Sequence, residues 1–73
     1  MENLVIHTPY IRLDQAMKLA SFVASGAEAK ALVQEGAVAV NGTVCMQRGK
    51  KLYDGDCFSF GDAAACISSK GEA

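Results

Sequence analysis

The chain has no tryptophan, one proline, one histidine and three cysteines among its 73 residues, and its aromatic share is only 7%. Each scarcity removes a class of function. Single-strand binders stack bases on several aromatic side chains; here only Tyr10 and Tyr53 lie near basic segments, and packing explains them equally well. The single histidine, His7, has no carboxylate beside it in the sequence to orient it for acid–base work. No phosphate-cradling glycine motif is present, and a chain this short has little room for a deep substrate pocket. An enzyme is therefore not expected, nor a small-molecule substrate. Cys45, Cys57 and Cys66 are not paired at the close spacing of structural zinc ligands. Their odd number disfavours a disulfide framework, which points to free, strand-borne thiols in a reducing, cytoplasmic setting. No cofactor or metal is expected. The longest uncharged stretch, residues 36–47, is far shorter than the roughly 20 apolar residues of a membrane span. No basic segment followed by an apolar one opens the chain, so neither a membrane partner nor a secretory signal is expected.

What is present is globular. Hydrophobic residues make up 51% and charged residues 21%, too apolar a balance for a disordered chain. The expectation is one small domain over residues 1–73, monomeric, burying about 60% of its unfolded surface. Many of the apolar positions are alanine, so the core must be close-packed rather than bulky.

The formal net charge of −1 hides an uneven distribution. Arg12, Lys18, Lys30, Arg48, Lys50 and Lys51 outnumber the acids between residues 12 and 51, whereas Asp54, Asp56, Asp62 and Glu72 dominate the end. No acidic residue lies between Glu35 and Asp54. A basic middle and an acidic end suggest a surface that faces a polyanion.

Local patterns supply the elements. Residues 3–7 read as a strand stopped by Thr8-Pro9. From Leu13 the apolar residues Leu13, Ala16, Met17, Ala20 and Ala24 recur along one helical face, with Gly26 marking the end. Within this helix Asp14 and Lys18 stand at i and i+4, the spacing of an ordinary ion pair, so Lys18 reads equally as solvated or functional. Ser25 through Glu28 form a capping box opening a second helix over residues 27–35, with Gly36 placed as its left-handed terminator. Lys30 shares one flank of this helix with Gln34, and Glu28 and Glu35 occupy the opposite flank. Asn41-Gly42 then centres a hairpin over residues 38–44, and Val44 and Met46 continue its alternation. A basic loop over residues 47–51, a turn at Asp54-Gly55-Asp56, and strands at 57–60 and 64–68 complete the chain.

These segments carry a resemblance. Ile11-Arg12-Leu13-Asp14, then Ser25-Gly26-Ala27-Glu28-Ala29-Lys30, then Glu35-Gly36 with Val38-Ala39-Val40-Asn41-Gly42, then Arg48-Gly49-Lys50-Lys51-Leu52 and Asp54-Gly55-Asp56 follow one another in order. Together they resemble the RNA-binding domain named after ribosomal small-subunit protein four, the S-four domain, over about residues 11–60. The serine-glycine opening of the second helix is most similar to small stand-alone bacterial members of the YbcJ type. The resemblance implies an α+β fold: two packed helices against a small, mostly antiparallel curved sheet, the αL RNA-binding motif. It also implies RNA-facing positions at Arg12, Lys18, Ser25, Lys30, Asn41, Arg48, Lys50 and Lys51. Many members carry an arginine directly after the helix-opening serine. Here Gly26 stands in its place, leaving backbone N–H groups but no side-chain fork for phosphate.

The resulting expectation is a non-catalytic protein that binds structured RNA, ribosomal RNA above all. About three to five cations meeting phosphates would give a log–log salt slope of about −2 to −3.5 on single strands. The alternative is an adaptor that uses the same face on a translation or RNA-processing protein. A small carrier charged at its C-terminus is not expected, since such carriers need a terminal Gly-Gly and the sequence ends Gly71-Glu72-Ala73.

Overall fold

Alternation of buried and exposed side chains fixes the architecture of the computed structural model, which describes residues 2–70. In chain order the elements are β1 (Glu2–Ile6), β2 (Tyr10–Arg12), α1 (Leu13–Leu19), α2 (Gly26–Gln34), β3 (Val38–Val40), β4 (Thr43–Val44), β5 (Lys51–Tyr53), β6 (Cys57–Phe60) and β7 (Ala63–Ser69). Five strands form a sheet in the order β1-β7-β6-β3-β4, and β2 and β5 form a separate two-stranded ribbon. Only β1 and β7 run parallel; the other pairs are antiparallel. This is the α+β class that the resemblance implies.

One sheet face is apolar. Leu4 and Ile6, Ala65 and Ile67, Phe58, and Val38 and Val40 are buried at alternating positions on four strands. They join Leu13, Ala16 and Met17 of α1 and Ala29 and Val33 of α2 in one core, which Leu52 of the ribbon completes. The helices thus cover the sheet on that face. Asp14 is the one buried charged residue of the described part.

Both helices end in the same motif. Beyond α2, Gly36 is left-handed (φ +78°), its N–H donates to Val33 C=O, and Ala37 N–H donates to Leu32 C=O. Those two bonds define a Schellman cap, with glycine where it is expected. At α1 the corresponding donors are Ser21, to Lys18 C=O, and Phe22, to Met17 C=O. Ser21 is left-handed too (φ +64°), although a side chain there costs about 1 kcal/mol. The packing of Phe22 against Phe58 and Phe60, with ring centroids 5.5 and 6.4 Å away, offsets that cost. Helix α1 therefore stops well before Gly26, and Gly26 begins α2 instead of ending α1. Ala24, expected on the buried stripe, is exposed.

The hairpin forms at Asn41-Gly42, both left-handed (φ +51° and +86°), the conformation of a type I′ turn. Its second strand is shorter than the alternation implies. Cys45 N–H still donates to Val38 C=O at 2.9 Å, but the strand ends at Val44 and Met46 is exposed.

The cysteine expectation is overturned. Cys57 and Cys66 face each other across β6 and β7 and are joined by a disulfide, leaving Cys45 as the free cysteine of the described residues. The two positions are symmetric about the Gly61-Asp62 turn, and a hairpin brings such positions together whatever their spacing. Their neighbours Phe58 and Ala65 point into the core, so the bridge lies on the sheet face away from the helices. With Cys57 and Cys66 bridged, the cysteines no longer point to a reducing compartment.

Candidate nucleic-acid interface

Helix α1 begins at Leu13 without a side-chain cap, since its N-cap residue is Arg12. Free N–H groups at a helix start need acceptors, and the basic loop supplies them. Leu13 N–H donates to Lys50 C=O at 2.9 Å and Asp14 N–H to Arg48 C=O at 3.0 Å. The same loop runs into β5, which pairs with β2 so that Lys51 stands opposite Arg12. Two independent sets of backbone bonds thus gather Arg12, Arg48, Lys50 and Lys51 around the first turn of α1.

Arg12 is held in a fixed pose. Its Nη2 lies 3.1 Å from Asp14 Oδ2 and its Nε 3.3 Å from Oδ1, while Oδ1 also accepts Gln15 N–H at 2.8 Å. The hydrogen bond to Asp14, and then the charge of that carboxylate, raise the guanidinium pKa above its ordinary value. About half of the Arg12 side chain stays exposed (51%) while Asp14 is covered (7%). The acid expected to pair with Lys18 therefore pairs with Arg12.

This is the one ion pair among the described residues. Lys18, Lys30, Arg48, Lys50 and Lys51 are exposed and have no carboxylate partner. Lys18 lies one turn beyond Asp14 on α1, and Lys30 lies on α2, which packs against α1. Lys51 has a different partner: its Nζ sits 4.9 Å from the centroid of the Tyr10 ring.

The remaining two sequence-derived positions have structural roles. Ser25 Oγ accepts Glu28 N–H, and the Glu28 carboxylate reaches back one residue further than expected, to Ala24 N–H. The Asn41 side chain donates to Asp56 Oδ1 and accepts Cys57 N–H, fastening the hairpin turn to β6. Among the described residues no hydrogen bond or ion pair joins Asn41 to the Arg12–Arg48–Lys50–Lys51 group. What sequence reasoning left open was the place of Tyr10 and Tyr53. They face each other in the β2–β5 register with ring centroids 5.8 Å apart, and neither belongs to the core. Their alternation with Ile11 and Leu52 was the available signal.

Fold and cluster together define a small α+β domain with a basic loop locked onto the entry of its first helix. A family model described as the S4 domain matches residues 4–68, and the chain belongs to that family. The match extends beyond the motif core of residues 11–60 into β1 and β7. No curated protein sequence matches the chain. Among solved structures it is similar to the solution structure of YbcJ from E. coli, which reveals an αL motif involved in RNA-binding. The two share 28% identity over 94% of this chain and 89% of that one, with a TM-score of 0.73.

Proposed function

We propose that the protein is a non-catalytic RNA-binding protein that docks structured RNA, with ribosomal RNA the first class to test. Membership of the S4 domain family and likeness to YbcJ support RNA as the partner. The observation that carries the reading is the pinning of loop 47–50 to the start of α1, which brings Arg48, Lys50 and Lys51, cations without a carboxylate partner, beside the Asp14-paired Arg12. Arg12, Arg48, Lys50 and Lys51 form its centre, with Lys18 and Lys30 extending it along the two helices. Ser25 contributes by shaping the start of α2 and Asn41 by holding the hairpin. A paired RNA helix presents chiefly phosphates and 2′-hydroxyls, which a rigid basic face can meet without reading bases. The protein acts in this reading as a monomer.

Binding of ribosomal RNA fragments and model hairpins, measured between 50 and 300 mM salt, tests the proposal. Affinity that falls steeply with salt supports it; no salt-sensitive binding at low salt refutes it. The adaptor reading draws on one observation: Val44 and Met46 are 57% and 59% exposed and line an open groove of about 500 Å³ beside Lys50. A protein partner seated on those side chains would bind with little salt dependence.

A further inference from the structure

The β2–β5 ribbon has two unlike faces. Ile11 and Leu52 point inward, Leu52 fully buried, while Tyr10, Arg12, Lys51 and Tyr53 all point outward. Strand alternation therefore places two aromatic rings and two cations on one exposed surface. This surface is continuous with the basic loop, since Lys50 immediately precedes Lys51. An aromatic pair that does no core packing, flanked by cations, suits a ligand that has a flat π-face and a negative backbone. Resting on the RNA reading above, we propose that the outer face of this ribbon is a stacking subsite for one unpaired RNA base. Tyr53, 50% exposed, takes the base. Tyr10 forms a tilted side wall at 46° to it, with Lys51 over its ring. Lys51 and Arg12 meet the phosphates on the loop side, Arg12 through the Nη1 that Asp14 leaves free. The Asp54–Asp56 turn follows Tyr53 directly, with Asp56 Oδ2 accepting Tyr53 N–H. Its negative charge steers the RNA backbone away from that end and toward Arg48 and Lys50.

The chain supplies its own reporter, because Tyr10 and Tyr53 are its only tyrosines and it has no tryptophan. The full chain is titrated with two RNAs that share one stem, a blunt duplex and a hairpin with an unpaired loop. The proposal expects the hairpin to quench tyrosine emission and the duplex to leave it unchanged. Tyr53→Leu weakens hairpin binding by about fivefold or more and leaves duplex binding unaltered, while Tyr53→Phe restores the hairpin affinity. Hairpin binding without quenching, or an equal effect of Tyr53→Leu on both RNAs, overturns the subsite and leaves phosphate docking intact. Binding of neither RNA by the unaltered protein removes the RNA reading and the subsite with it.

Discussion

The acidic and basic regions of this small protein use their charges in opposite ways. In the turn between β5 and β6, carboxylates close the fold. Asp54 Oδ1 accepts Ser69 N–H at 2.8 Å, and Asp56 accepts Tyr53 N–H at 2.7 Å and the Asn41 amide at 3.2 Å. Around the start of α1 the roles reverse. Backbone groups of the basic loop hold the fold together, and the side chains of Arg48, Lys50 and Lys51 are left in water. Net charge is therefore a poor guide to this molecule. Asp14, Glu28, Asp54 and Asp56 are anchored by hydrogen bonds, whereas Lys18, Lys30, Arg48, Lys50 and Lys51 are displayed to solvent.

Reversing charge on the basic side should give the largest effect. Lys30→Glu combined with Arg48→Glu is expected to lower RNA affinity by about 100-fold, because each substitution puts a repelling anion where a cation met phosphate. Thermal unfolding should be unchanged, since both side chains are exposed and unpaired. Lys70→Glu is the control: an equal loss would show that total charge matters and position does not. On the acidic side, Asp56→Ala should cost about 1–2 kcal/mol in urea unfolding by removing the acceptor of two hydrogen bonds. RNA affinity of the folded fraction should hold. A large loss of affinity there would break the division between the two regions.

A smaller change sharpens the comparison from the other direction. A Cβ at Gly26 meets nothing within 4 Å, and its φ is not left-handed, so a side chain fits without strain. Gly26→Arg should tighten RNA binding by about 3- to 10-fold by adding a charged fork at the start of α2. Unchanged affinity in a binding titration would place that helix start outside the RNA footprint.

The parts legible in the sequence are those whose signals are local. The serine cap at Ser25, the glycine terminator at Gly36 and the Asn41-Gly42 turn each occupy a few adjacent residues and form where those residues predict, with only the Glu28 end of the capping box shifted by one residue. Ribbon strands β2 and β5 are not legible in the same way, since each has three residues and its partner lies some forty positions away. The end of α1 is hidden because its left-handed terminator is serine, which tertiary packing tolerates and local propensity does not announce. Sequence spacing alone conceals the disulfide, whereas the symmetry of Cys57 and Cys66 about Gly61-Asp62 reveals it. Of the site, the cations are legible from charge bias, but their convergence depends on Leu13 and Asp14 bonding the carbonyls of a loop more than thirty residues downstream.

Whether that convergence makes a phosphate-docking face is tested most directly by the salt dependence of RNA affinity in the unaltered protein and in Arg48→Gln. The slope of log K against log salt should lie at about −2 to −3.5 on single-stranded RNA and become shallower by about 0.7 in the variant. A flat slope, or one that Arg48→Gln leaves unaltered, would contradict the account.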